Sequence, residues 1–318
     1  MVRRESISSA QNPKIKHLLS LQEKSRLRKE EGLFVVEGAR EVARALDAGY
    51  QAATLFVCPE IFSAGEGPEH AALAKLIDEA STFATGRTSC PPSTETDELP
   101  SAAGRACELP GAATSRGCDS DASPLLVEVP AALYEKIALR GSSEGIIAEM
   151  KVRSHRLEDL SLPENALVIV LESIEKPGNL GAILRSADGA GADALIVCDP
   201  LADVYNPNVL RSSLGALFSV PTAVCSSEDA IAFLQQQKLQ ILTAQLQDSK
   251  PYYDVDMTGP TALVIGSEAD GLTDAWRIAA DRHILIPMLG KMDSLNASVS
   301  AAILLYEARR QRGCTQSF

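Results

Sequence analysis

ALVIVLESIEKPGNLGAILRSADGAGADALIV, residues 166–197, is a strand, a turn, a helix and a second strand written in order. The opening run is an unbroken series of Val, Ile and Leu, as is the closing ALIV. Strands without polar alternation are buried on both faces, and that burial belongs to parallel sheets covered by helices. Pro177-Gly178 breaks the first strand, and Asn179, a favoured N-cap residue, is expected to open the helix. That helix is packed with small and apolar residues, so Arg185 stands out on it. Asp188 lies three residues on, at ion-pair spacing.

The same beat continues outward. Toward the C-terminus it runs through a helix NPNVLRSSLGALF, strands LQILTAQ, TALVIGSE and HILIPM, and a last helix ending near Arg312. Toward the N-terminus, residues 13–30 predict a single basic amphipathic helix with Ile15, Leu18, Leu19 and Leu27 on one face. LFVVEG, AREVARALDAG, ATLFVC and a helix PEHAALAKLIDEA follow. Residues 84–124 are rich in Ala, Ser, Thr, Gly and Pro and are expected to form a flexible insertion. Strand and helix signals resume with LLVEVP, AALYEKIAL and GIIAEMKV. The pattern predicts two α/β domains, 1–155 and 161–318, the second built on a parallel sheet.

Bulk properties exclude several classes. No apolar run approaches the roughly 20 residues that cross a bilayer, and the N-terminus MVRRESISSAQNPK lacks the apolar core of a signal peptide. A cytosolic protein is expected. Seven scattered cysteines without C-x-x-C spacing and four dispersed histidines suggest neither a disulfide framework nor a metal centre. Net charge is −12, yet residues 1–40 hold nine Lys and Arg against five Asp and Glu. Such a localised basic front end suits phosphate contacts, with Lys14, Lys16, Lys24, Arg26, Arg28 and Lys29 as the candidates.

Chemistry in an open α/β sheet sits at the strand C-termini. Three loops there carry the polar candidates: Asn179 and Arg185 in the first, Gly266 and Glu268 in LVIGSEADGL (263–272), and Ser294 and Asn296 in LIPMLGKMDSLNASVSAAI (285–303). Neither a phosphate loop nor a G-x-G-x-x-G fingerprint occurs, which weakens any reading as a nucleotide-dependent small-molecule enzyme. A glutamate in such a loop repels phosphate and suits a neutral or cationic ligand. Either Ser294 or Asn296 is expected to cap the last helix.

Taken together, NLGAILRSADGAGA (179–192), DVYNPNVLRSSLGALFSVP (203–221), IGSEADGL (265–272) and IPMLGKMDSLNASVSAAI (286–303) resemble the SpoU/TrmH family of the SPOUT superfamily. These are S-adenosyl-L-methionine-dependent RNA ribose 2′-O-methyltransferases. The front segment SAQNPKIKHLLSLQEKSRLRKEEGLFVVEGAREV is similar to the RNA-binding domain, itself like a small ribosomal protein, that often precedes them. The resemblance implies a C-terminal trefoil knot, a homodimer through the C-terminal domain, and ribosomal RNA rather than tRNA as substrate. It puts cofactor contacts at Gly266, Ile286 and Leu295, and polar active-site positions at Asn179, Arg185, Glu268, Ser294 and Asn296. Arg185 is the position the family implicates in activating the 2′-hydroxyl. The alternative is a non-catalytic RNA-binding or antibiotic-protection factor that keeps the fold. The small residues Ala297, Ser298, Ser300, Ala301 and Ala302 are expected to permit close backbone approach.

Overall fold

The structure, a computed structural model, describes residues 3–82, 124–139 and 144–313. The insertion expected over 84–124 falls outside them but for its last residue. The first part contains β1 (Arg4–Ser6), α1 (Pro13–Glu23), α2 (Ser25–Glu31), β2 (Leu33–Glu37), α3 (Ala39–Asp47), β3 (Ala52–Val57), α4 (Pro59–Phe62), α5 (Pro68–Thr82), β4 (Leu125–Glu128), α6 (Ala131–Ile137) and β5 (Ile146–Lys151). Its sheet has the order β1-β4-β3-β5-β2, with β5 antiparallel to both neighbours and β1, β4 and β3 parallel.

After a linker come β6 (Leu167–Glu172), α7 (Pro177–Ala190), β7 (Ala194–Cys198), α8 (Pro207–Ser213), α9 (Ala216–Ser219), β8 (Thr222–Cys225), α10 (Ser227–Gln236), β9 (Gln240–Ala244), β10 (Lys250–Pro251), β11 (Thr261–Ile265), α11 (Asp274–Ala279), β12 (Arg282–Leu285) and α12 (Ala297–Gln311). All seven strands are parallel, in the order β10-β12-β9-β11-β6-β7-β8. Every residue of β6, β7 and β11 is buried, as expected of strands covered on both faces. The chain winds outward from β6 through β7 to β8, then crosses to the other side, where β11 inserts between β9 and β6. The loops leaving β6 and β11 therefore diverge at a switch point, the place where such sheets hold ligands.

Helices α7 and α12 lie side by side and run in the same direction. Asn296 at the start of α12 touches Asn179 in the first turn of α7, and Arg309 near its end donates to Ala190 O and Gly191 O at the end of α7. Ala301, Leu304, Leu305 and Ala308 form the buried face of α12. Of the small residues, Ala297 and Ala301 are buried, and Ser298, Ser300 and Ala302 are half-buried.

The helix expected over 13–30 is broken. Lys24 leaves helical geometry at φ −105° and ψ 105°, giving α1 and α2. Arg28 is the reason this break is tolerated: its Nη1 donates to Leu21 O at 2.6 Å and Gln22 O at 3.2 Å, carbonyls that the break would leave bare. The helix expected from NPNVLRSSLGALF is likewise two pieces, separated by Leu214 and Gly215 in left-handed conformation. Strands β1, β8 and β10 and helix α10 carried too little signal to be read from the sequence.

The two sheets share apolar contacts. Phe34 and Tyr50 from the first part pack against Tyr205 and Phe218 from the second, with centroids 4.1 Å apart for the tilted Phe34–Tyr205 pair and 5.1 Å for the edge-on Tyr50–Phe218 pair. Arg44 Nη1 donates to Leu214 O at 2.8 Å, satisfying the carbonyl where α8 ends. In the linker, His155 takes Tyr205 Oη at Nε2 and Thr222 O at Nδ1, both at 2.8 Å. A carbonyl only accepts, so Nδ1 carries the proton and Nε2 accepts from tyrosine.

Candidate active site

Glu268 joins the three loops. Its Oε1 accepts from Asn179 Nδ2 and, at 3.1 Å, from Asn296 Nδ2, which also reaches Asn179 Oδ1 at 3.2 Å. Its Oε2 pairs with Lys176. The turn that carries Glu268 is pinned by Ser267 and Gly271, whose backbones exchange hydrogen bonds at 3.2 and 3.1 Å. Gly266 permits the closure: a Cβ there would stand 2.3 Å from Gly271 C and O. The close approach is thus the loop's own backbone.

The Lys176 ammonium holds the Glu268 carboxyl below its ordinary range; burial opposes this, and Asn179 and the Ala297 N–H add to it. Reciprocally, Glu268 raises Lys176. The site thus presents an ionised carboxylate clamped by three amide or ammonium donors, and it is a weak base in consequence. Asn296 also caps α12, its Oδ1 accepting from Ser298 N at 3.0 Å and Ser298 Oγ at 2.6 Å. One side chain therefore both starts the helix and ties it to Glu268. Asn179 does not cap α7, contrary to expectation: the helix begins at Pro177, with Lys176 before it. Its amide is left free for Glu268.

Beside this cluster lies a cavity of about 370 Å³ at the ends of β9, β11 and β12. Gly266, Glu268, Ile286, Ser294 and Leu295, all proposed from the sequence, line it. Leu272, Met288, Gln245 and Arg277 complete much of its wall. Asn179 and Asn296 meet the cavity through Glu268. Arg185 does not line it: it is exposed on α7, roughly two turns or 9 Å beyond Asn179 along the axis. Among the described residues no hydrogen bond or ion pair engages its guanidinium. Ser294 is exposed on the rim.

Under the cavity loop, Glu172 at the end of β6 is 2% exposed. It accepts from Thr273 N at 2.8 Å, Thr273 Oγ1 at 2.7 Å and Ser227 Oγ at 3.1 Å. It fastens the far end of the Glu268 loop to the sheet. Sequence reasoning missed Glu172, Lys176, Gln245 and Arg277. Only Lys176 left a trace, as a charge immediately before the Pro-Gly turn.

The basic front end divides. Lys16, Lys24 and Lys29 are exposed. Lys14 pairs with Glu5, and Arg26 with Glu30 at 2.6 Å. Arg28 is a correction: it is buried, with Nε on Asp203 Oδ2 at 2.8 Å, and has no access to a phosphate. Among the described residues no helix is long and apolar enough to cross a membrane, and no group of side chains could hold a metal ion.

Residues 166–306 match the SpoU rRNA Methylase family and residues 12–85 the MRM3-like substrate binding domain. A 23S rRNA (uridine(2479)-2'-O)-methyltransferase of Streptomyces viridochromogenes is 37% identical over 52% of this chain and 60% of its own length. The 23S rRNA (guanosine-2'-O-)-methyltransferase RlmB of Pectobacterium atrosepticum is 32% identical over 61% of this chain and 82% of its own. Among solved structures, an RNA 2'-O ribose methyltransferase is 33% identical over 98% of this chain and 99% of its own, with a TM-score of 0.70. The SpoU methyltransferase AviRb of Streptomyces viridochromogenes, in complex with the cofactor AdoMet, is 26% identical over 95% and 99%, with a TM-score of 0.72. With its three loops gathered on Glu268 and these likenesses in fold and sequence, the chain belongs to the SpoU rRNA methylase family.

Proposed function

We propose that this protein is an S-adenosyl-L-methionine-dependent methyltransferase acting on the ribose 2′-hydroxyl of a nucleotide in ribosomal RNA. The observation that carries the reading is the convergence of all three loops on Glu268 at the mouth of one cavity. The names of the relatives, which are 23S rRNA 2'-O-methyltransferases, support the substrate class.

The cavity fits the cofactor. Leu272, Ile286 and Leu295 give an apolar wall for an adenine, and Glu268, Asp270 and Asp293 supply carboxylates for a cationic ligand. Buried Gln245 Oε1 and Arg277 Nε have no hydrogen-bond partner. When bound, the cofactor supplies a methyl group already activated on a sulfonium. The chain's own residues supply position and charge. Asn179 and Asn296 fix the Glu268 carboxylate, whose low pKa suits it to electrostatic orientation rather than proton removal. A guanidinium is a planar fork of N–H donors with no acceptor, so Arg185 serves as a forked donor for a phosphate and for developing alkoxide charge, not as a base. Another group accepts the proton.

Residues 1–155 form the RNA-binding domain in this reading and 161–318 the transferase domain, acting in the cytoplasm where ribosomal RNA is assembled. Lys16, Lys24 and Lys29 grip phosphates. A homodimer through the C-terminal domain is supported by exposed Leu289, Met292, Val299 and Tyr306 on α12 and the segment before it. Arg185, remote from the cavity of its own chain, is consistent with such an assembly. A trefoil knot is supported by the insertion of β11 between β9 and β6 before α12 packs on α7.

The test is methyl transfer from labelled S-adenosylmethionine to RNA of a strain lacking the gene, followed by mapping of 2′-O-methyl sites. The expected result is one site in large-subunit RNA that wild type restores and Arg185→Lys does not. Cofactor binding without any transfer would favour a non-catalytic RNA-binding role.

A further inference from the structure

Two polar side chains lining the cavity are incompletely paired. Gln245 follows β9 and Arg277 lies on α11, which packs against β9. Gln245 Nε2 donates to Gln247 O at 3.0 Å, and a carbonyl can only accept, so the other terminal atom is the oxygen. That oxygen is buried without a donor. Arg277 spends Nη1 on Asp274 at 3.2 Å, and its Nε is buried without an acceptor. Both side chains line one cavity, and each holds a buried polar atom that no protein group pairs; a side-chain rotation that brings these atoms to the cavity lets a ligand satisfy them.

The geometry points to Gln245 and Arg277 as the subsite for the amino-acid part of the cofactor, with Arg277 binding the α-carboxylate and Gln245 Oε1 the α-ammonium. This rests on the cofactor reading above. S-adenosylmethionine carries a single anionic group, and Arg277 is the one cation among the residues lining the cavity, beside three carboxylates. The ammonium and carboxylate share a carbon, so an acceptor and a donor on adjoining elements complement them together. Glu268, tied instead to α7 and α12, is left to face the sulfonium end. These are side-chain contacts that select for an amino-acid tail.

Calorimetry with two probes separates the possibilities. S-adenosylhomocysteine has the amino-acid tail, and 5′-methylthioadenosine has the nucleoside without it. Arg277→Gln is expected to weaken S-adenosylhomocysteine by about tenfold or more, as loss of a charge-assisted contact does. Its affinity for methylthioadenosine should stay within about twofold of wild type, which also shows that the variant folds. Gln245→Leu should behave in the same sense, and Arg277→Lys should recover part of the loss. Equal weakening of both probes would place Arg277 on the nucleoside and overturn the assignment, as would unchanged binding of S-adenosylhomocysteine. If wild type binds neither probe, the cofactor reading fails and this assignment falls with it.

Discussion

Arg28 Nε and Asp203 Oδ2, 175 residues apart in the chain, meet at 2.8 Å, with the side chains only 2% and 11% exposed. The pair ties α2 to the segment before α8 and is completed by Ser25 Oγ, 3.0 Å from the same carboxylate oxygen, and by the Tyr205 N–H on the other. Removing one partner strands a buried charge. Arg28→Ala should therefore cost about 3–5 kcal/mol of stability, measured by denaturant unfolding. Lys29→Ala, one residue on and exposed, should leave stability unchanged and lower the salt dependence of RNA binding by about one unit. Wild-type stability of Arg28→Ala with selectively weakened RNA binding would return Arg28 to the RNA-contacting set.

Arg185→Lys keeps the charge and loses the planar fork. Turnover should fall by about 10²-fold, the scale for losing one aligned transition-state donor, with cofactor affinity unchanged because Arg185 is not on the cavity wall. Single-turnover rates and calorimetry check the two halves. Near-normal turnover would remove the need for a guanidinium.

Gly266→Ala places a methyl 2.3 Å from the Gly271 carbonyl carbon and oxygen and 2.6 Å from Leu272 N. The backbone must move, at about 1–3 kcal/mol, and the Glu268 turn moves with it. Cofactor affinity should fall more than stability does, as seen by comparing calorimetry with thermal melting.

Ala301, fully buried on α12, contrasts with half-buried Ile303. Ala301→Leu should lose about 1–3 kcal/mol of stability and damage cofactor binding or dimer formation, whereas Ile303→Leu should do little. Sedimentation and calorimetry on both variants would show a reversed ranking if the close packing of α12 were unimportant.

His155 contributes a pH dependence. Burial pushes its imidazole below the ordinary histidine range, against the pull of the Thr222 carbonyl. The unfolded chain therefore takes up a proton near pH ~6.5 that the folded chain refuses. Stability should decline as pH falls through that value and stop declining once the folded form also protonates. His155→Gln should flatten this part of the melting-temperature profile between about pH 7.5 and 5; an unchanged slope would assign it to other groups.

Much of the architecture could be read locally. The apolar runs of β6, β7 and β11 announced a parallel sheet, and Gly266, Glu268, Ile286, Ser294 and Leu295 do line one cavity. Arg28 shows where local reading fails. In an unbroken helix it would lie about 20° around from Leu21, which is fully buried, but its charge marks it as a surface residue when no partner is in view. What makes its burial possible is Asp203 together with the Leu21 and Gln22 carbonyls bared at the Lys24 break. Periodicity measures the phase within one helix and has no means of detecting a partner such as Asp203.

The amino-acid sequence was sufficient to specify the central strands β6, β7 and β11, their burial on both faces and the loops that carry polar groups, because these follow from side-chain size and period along the chain. Whether Glu268 faces Asn179, Asn296 and Lys176, whether Gln245 and Arg277 share a wall, and that Arg185 stands apart depended on the placing of β11 between β9 and β6. Strand order is a property of contacts between segments distant in the chain. Those contacts arise only when the whole sheet packs, so no window of residues contains them.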